Sequence, residues 1–127
     1  MSTWTSEELE KIGEAEELKI MPLQNDGTHQ KPVIIWVVRV GEGLYIRSYK
    51  GRGSGWFQGV QMRHEGRIRA GGVEKEVTFM EESDPGLQEQ IDTAYRAKYR
   101  RYEASIVDSI VSAQARSATI RLVVHEA

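Results

Sequence analysis

The spacing of apolar residues changes along the chain, and each change marks an element. Leu9 and Ile12 lie about one helical turn apart behind Thr5 and Glu8. Thr5 and Glu8 are spaced for a capping box, and Trp4 and Leu9 for the hydrophobic staple that accompanies one. A first helix is therefore expected, failing near Ala15, with Gly13 allowing a close neighbour. Glu17 to Pro22 alternates, with Leu18 and Ile20 on one side. That reads as a short edge strand ended by Pro22. Gln24-Asn25-Asp26-Gly27 is turn chemistry. Pro32 to Val40 is apolar at nearly every position, as in a strand covered on both faces. Gly41-Glu42-Gly43 turns the chain, and Leu44 to Tyr49 returns.

Gly66 to Ala70 and Val73 to Glu81 form a second hairpin across Gly71-Gly72, with Ile68, Val73, Val77 and Phe79 as its core residues. Asp84-Pro85 is a helix start, an Asp cap followed by proline at the first helical position. Leu87, Ile91, Ala94, Tyr95 and Lys98 then share a face. A second helix turns Ile106, Val107, Ile110 and Val111 inward. Ala118 to His125 alternates again through Ile120, Leu122 and Val124, as a closing strand would. About six strands, an N-terminal helix and two C-terminal helices in this order predict an α+β fold, a mainly antiparallel barrel-like domain spanning residues 1–127.

Composition narrows the chemistry. The 127 residues are 39% hydrophobic and 28% charged, as in an ordinary soluble globular protein. Cysteine is absent, which excludes disulfides, thiolate zinc sites and thiol catalysis, and a reducing cytoplasm is the expected setting. Residues 1–30 show no cationic stretch leading into an apolar run, so no signal peptide is expected. The longest apolar run, Val33 to Val38, is far short of the ~20 residues of a membrane helix, so no membrane partner is expected. Net charge is −2, yet residues 31–70 carry eight basic side chains against two acidic ones. Such asymmetry points to an anion-binding face, unless the strands spread the charges over several faces. With the whole chain acidic, a nucleic-acid partner is not expected.

Several chemistries lack their residues. His29, His64 and His125 have no partner at metal-ligand spacing, so no metal is expected. Gly53-Ser54-Gly55 is a fragment of a nucleophile elbow without its surroundings. Gly51-x-Gly53 begins a dinucleotide fingerprint, but Trp56 stands at the third glycine and no βαβ unit surrounds it. What remains is the loop Arg47-Ser48-Tyr49-Lys50-Gly51-Arg52-Gly53-Ser54-Gly55-Trp56-Phe57. Arg47, Lys50 and Arg52 supply cations for a phosphate, and Ser48, Ser54 and the amides of Gly53 and Gly55 supply hydrogen bonds. A helix beginning near Ser54 would add its N-terminal amides. Trp56 and Phe57 would wall a planar ring; the alternative is a plain turn followed by two core aromatics. Tyr95 and Tyr99, with Lys98 between them, are candidates to face a substrate, though rings so spaced more often pack together.

Trp4-Thr5, Glu8-Leu9, Trp36-Val37-Val38-Arg39-Val40-Gly41, Leu44-Tyr45-Ile46-Arg47-Ser48, Trp56-Phe57, His64-Glu65-Gly66-Arg67-Ile68, Ala70-Gly71-Gly72-Val73, Tyr95-Arg96-Ala97-Lys98-Tyr99 and Ser105-Ile106-Val107 resemble a bacterial family catalogued as a domain of unknown function. The order of strands, the Ser-containing loop and the Trp-aromatic pair resembles, in turn, the FMN-binding split-barrel superfamily. Pyridoxamine-phosphate oxidases and deazaflavin-dependent nitroreductases belong to it. The chain departs from the nitroreductases in three places. No proline precedes Trp56, Gly59-Val60 replaces Asn-Leu, and Asp26-Gly27-Thr28 replaces Gly-Arg-x-Ser-Gly.

The resemblance implies a split β-barrel that binds FMN or a deazaflavin coenzyme between two subunits of a homodimer. The cofactor-binding positions are then Arg47, Ser48, Lys50, Arg52, Gly53, Ser54 and Trp56, and Tyr95 and Tyr99 bind the substrate. The implied activity is hydride transfer to a small organic molecule. The alternative is a cofactor-free module on the same barrel that binds a small anion or serves as structure.

Overall fold

The computed structural model describes residues 3–125. α1 (Ser6–Glu14) starts where its capping box puts it: the Thr5 hydroxyl accepts from the Glu8 amide, and the Glu8 carboxylate accepts from the Thr5 amide. Its buried residues are Leu9 and Ile12, and the helix stops at Ala15. The indole of Trp4 donates to the Leu122 carbonyl at 3.0 Å, which ties the helix entry to the sheet.

Seven strands follow: β1 (Leu18–Pro22), β2 (Val33–Ile35), β3 (Val37–Val40), β4 (Gly43–Arg47), β5 (Glu65–Ala70), β6 (Val73–Glu81) and β7 (Thr119–Val124). They form one sheet in the order β2-β1-β5-β6-β7-β4-β3, with every neighbouring pair antiparallel. β2 and β3 stand at opposite ends of that order, yet only Trp36 separates them in the chain. One stretch of backbone therefore pairs with both ends and curls the sheet into a nearly closed barrel. The single strand expected over Pro32–Val40 is this pair, which is why about six strands become seven.

The two halves of that stretch differ in burial. In β3, Val37 turns into the barrel and Val38 packs under the helices outside it. In β2, Val33 and Ile34 are 36% and 55% exposed, because nothing among the described residues covers them. Within this stretch, coverage on both faces holds only at Val37 and Val38 of β3. β1 is likewise not an edge. It pairs with β2 on one side and β5 on the other, and Pro22 is tolerated because it ends the strand.

Two cores result. Leu9, Ile12, Leu18, Ile20, Leu44, Ile46, Phe57, Ile68, Val77, Phe79, Ile120 and Leu122 belong to the cluster that fills the barrel. Outside it, Val38, Tyr45, Ile91, Tyr95, Tyr99, Val107 and Ile110 pack together. That second layer comes from α3 (Pro85–Lys98) and α4 (Ala104–Ile110). Asp84 caps α3 by accepting from the Leu87 amide at 2.8 Å, with proline in its first turn. Ile106, expected inward, is 46% exposed. A short α5 (Ala113–Arg116) leads into β7, and α2 (Gly55–Arg63) sits between β4 and β5. Trp56, Phe57, Gly59 and Val60 are the buried residues of α2. No helix is long and apolar enough to cross a membrane among the described residues.

Candidate functional site

The mouth of the barrel opens into a cavity of about 950 Å³. One wall is β2 with Trp36. The floor is the end of β4 and the turn after it, from Arg47 to Lys50. The start of α2 contributes Gly53 to Trp56, and α4 contributes Ser105, Ile106, Ser109 and Ile110. The loop singled out by composition thus borders a real cavity, as do Ser48, Lys50, Gly53, Ser54 and Trp56 within it.

The cavity has a polar end. The Ser48 hydroxyl donates to the Ser54 hydroxyl at 2.8 Å, and Ser48 is only 3% exposed. Ser54 is the N-cap of α2 but makes no side-chain capping bond. The first-turn amides of a helix have no partner within it, so without a side-chain cap they are left for an incoming acceptor. Lys50 adds a positive charge from an exposed position. The turn itself is pinned. Gly51 has φ +80°, and a Cβ there would meet the Gln114 side chain at 2.6 Å. Gln114 donates to the Lys50 carbonyl at 2.6 Å. The other end is apolar, built from Ile34, Trp36, Trp56 and Ile106.

Arg47 and Arg52 sit differently from what composition suggests. Leu44 and Ile46 of β4 point into the barrel, so alternation turns Arg47 outward, under α3 and α4. Its side chain has no exposure. Nε donates to Thr119 Oγ1 at 2.9 Å, Nη1 to Asp92 Oδ1 at 2.5 Å and the Ile110 carbonyl at 3.2 Å, and Nη2 to the Gln88 carbonyl and Oε1 at 3.2 and 2.5 Å. All five guanidinium N–H groups are spent inside the chain. Arg47 borders the cavity but has no donor left for a phosphate. Arg52 lies outside the cavity lining. It pairs with Glu81 at 2.7 Å, donates to the Ser117 carbonyl, and its guanidinium lies 5.2 Å from the Phe57 ring. That pairing raises the Arg52 pKa and lowers that of Glu81. Of the three cations, Lys50 alone faces the cavity without an ion pair among the described residues.

Tyr95 and Tyr99 are fully buried in the outer core and do not line the cavity. The Tyr99 hydroxyl donates to the Glu16 carbonyl at 2.9 Å and accepts from the Val37 amide at 3.3 Å. The Tyr95 hydroxyl has no hydrogen-bond partner among the described residues, and burial pushes its pKa far up. Lys98, between them, donates to the Val37 carbonyl at 2.5 Å, and desolvation pulls its pKa down to about 8. Burial pushes the Asp92 carboxyl up, but Arg116 and Arg47 hold it below its ordinary value on balance.

The α4 wall and Trp36 were not among the candidate residues. Ser105 and Ser109 stand four residues apart on α4, with Ile106 exposed between them. That polar stripe opposite Val107 and Ile110 was the signal for them. No group of three or more His, Asp or Glu could hold a metal ion among the described residues.

The fold matches solved structures over most of its length. A conserved hypothetical protein, Rv2991 from Mycobacterium tuberculosis, superposes with a TM-score of 0.72 at 9% identity, covering 99% of this chain and 83% of the other. A putative pyridoxamine 5'-phosphate oxidase from Listeria innocua gives 0.63 at 13% identity, covering 93% and 90%. An F420 reductase gives 0.56 at 14% identity, covering 91% and 90%. The chain therefore has the split-barrel fold of the pyridoxamine-phosphate-oxidase-like proteins. No curated protein matches it in sequence. The model of a family described as "Uncharacterized protein conserved in bacteria (DUF2255)" matches residues 8–122.

Proposed function

The chain belongs to this DUF2255 family of bacterial proteins, and we propose that it binds a flavin-type cofactor, FMN or a deazaflavin, in the barrel-mouth cavity and acts as an oxidoreductase on a small organic substrate. The carrying observation is the cavity's two-ended chemistry. A hydroxyl pair, an uncapped helix start and one cation stand at one end, and two indoles with aliphatic walls stand at the other. A phosphate attached to a planar ring fits that division. The residues to hold it are Ser48, Lys50, Gly53, Ser54 and Trp56, with Ser105 and Ser109 opposite. Arg47 and Arg52 serve the scaffold in this reading. Such a cofactor supplies hydride transfer when bound, and the chain supplies binding, orientation and exclusion of water.

Val33, Ile34 and Ile106 leave the apolar rim open to solvent. We place a second copy of the chain over that rim, so the working form is a homodimer, in the cytoplasm. The second reading is a cofactor-free anion-binding module on the same barrel. It is favoured by the phosphate end having, among the described residues, one cation without an ion pair where three were expected.

Optical titration of the purified protein with FMN and with F420 tests the choice. Binding of either, weakened by Lys50→Ala by the ~1.5–3 kcal/mol of a charge-assisted contact, is the expected result. A colourless protein that takes up neither leaves the anion-binding module.

A further inference from the structure

Trp36 has two environments. One side of it lines the cavity. The other begins a run of touching aromatic rings that leads away from the cavity. Its ring stacks on Tyr99 with centroids 3.9 Å apart and planes 5° apart, and it meets Tyr102 at 4.9 Å. Tyr99 and Tyr102 are 6.0 Å apart, and Tyr95 lies 6.2 Å from Tyr99 on the other side. Indole and phenol are the most readily oxidised side chains in a protein without thiols, and this chain has no cysteine. Rings at these separations exchange single electrons readily.

Proton acceptors decide where an oxidising equivalent comes to rest. A phenol that loses an electron becomes strongly acidic and must give up its proton. The Tyr95 hydroxyl is buried with no hydrogen-bond partner among the described residues, so no acceptor there takes one. Tyr99 donates to a backbone carbonyl, a very weak base, and the Lys98 amine 5.2 Å from its ring disfavours added positive charge. Tyr102 donates to the Glu16 side chain, a carboxylate. Arg101 also holds Glu16 and has its guanidinium 5.2 Å from the Tyr102 ring, so a neutral radical is favoured over a cationic one there. Tyr102 is half-buried, at the outer end of the run.

We propose that Trp36, Tyr99 and Tyr102 form a one-electron relay between the cavity and the surface, ending in proton-coupled oxidation of Tyr102 with Glu16 as the base. Trp36 gives one electron to an oxidant in the cavity. Tyr102 refills Trp36, directly or through Tyr99, and passes its phenolic proton to the Glu16 carboxylate. The balance is one electron gained by the oxidant, one proton on Glu16 and a neutral radical on Tyr102. The natural oxidant is a photoexcited or otherwise electron-deficient flavin, so the biological role rests on the proposed function. The relay itself does not, and it gives the site a path by which stray oxidising equivalents drain outward.

The test avoids the cofactor. Because the chain lacks cysteine, Ile34→Cys on the cavity wall gives a single attachment point for a photo-oxidant bearing a maleimide. Tyr49→Phe is included in the parent because Tyr49 is exposed beside the cavity. Flash illumination with electron paramagnetic resonance detection is expected to give a tyrosyl signal. That signal falls to background in Trp36→Phe and in Tyr102→Phe, weakens in Glu16→Gln, and persists in Tyr95→Phe, each variant being checked for native circular dichroism. An unchanged signal in Tyr102→Phe, Trp36→Phe or Glu16→Gln, its loss in Tyr95→Phe, or no tyrosyl signal in the parent overturns the relay. Should Trp36→Phe or Tyr102→Phe fail the circular dichroism check, Glu16→Gln decides alone, since its carboxylate lies outside the ring stack. The covalent label leaves the optical titration to decide the flavin reading separately.

Discussion

Arg47→Ala separates a ligand-binding arginine from a structural one. In the structure its guanidinium, without exposure, joins β4 to α3, to the end of α4 and to β7. Removing one partner of a buried pair typically costs ~3–5 kcal/mol, because the other is left uncompensated. Here the lower end applies. Asp92 keeps Arg116, whose Nε donates to Oδ2 at 2.9 Å, and Gln88 Oε1 keeps the Thr119 hydroxyl at 3.1 Å. A loss of about 3 kcal/mol is a large share of the ~5–15 kcal/mol that holds a domain together. At this chain length it lowers the melting temperature by roughly 10 °C. Urea unfolding followed by tryptophan fluorescence reads it as a shift in midpoint at unchanged slope. Arg47→Lys does not rescue, since three ammonium donors cannot serve five acceptors. A variant within about 1 kcal/mol of the parent that loses FMN or phosphate affinity refutes the argument, and returns Arg47 to the ligand.

Ile34→Glu places a charge on the open apolar rim, where the side chain is already 55% exposed. If the proposed dimer forms there, sedimentation should show it giving way to monomer with the melting temperature nearly kept, and an unaltered mass places any interface elsewhere. Lys98 predicts a pH dependence. Desolvation holds its folded pKa at about 8 against an unfolded 10.5, so between those values the unfolded chain binds more protons and stability rises with pH. Above about 10 the raised pKa values of Tyr95 and Tyr99 act in the opposite direction, since the unfolded phenols ionise first. Urea midpoints should therefore rise from pH 8 to pH 10, and Lys98→Met should remove the rise; an equal slope in both proteins rejects the assignment.

The elements and the site were unequally readable from the sequence. Capping chemistry is local, so Thr5 with Glu8 and Asp84 with Pro85 set two helix starts without reference to the rest of the chain. The break at Trp36 is not local. Val33 to Val40 is uniformly apolar but for Arg39, and nothing in that run says its two halves pair with opposite ends of a sheet. Composition also overstated the loop's charge, because a count of cations does not say where each side chain points. The period-two pattern does. Leu44 and Ile46 inward put Arg47 outward in β4, and the helices predicted after Asp84 were the only cover for that face. Alternation carried through Arg47, rather than stopped at it, moves the residue from ligand to scaffold on the strand pattern alone.

The same geometry explains why β2 stays apolar though it is exposed. Neither half of the closing stretch pairs on both sides: among the described residues β3 pairs with β4 alone, and its Val37 and Val38 are covered. β2 pairs with β1 alone among the described residues, and its outer residues form the rim of the cavity. An edge strand left apolar and unpaired invites association, and monomeric proteins blunt such edges with charge or proline. Here Lys31 and Pro32 stand just before the strand, and within it Val33-Ile34-Ile35 carries neither. The sequence carries an exposed apolar edge beside its large cavity, and that is the physical case for the proposed second copy.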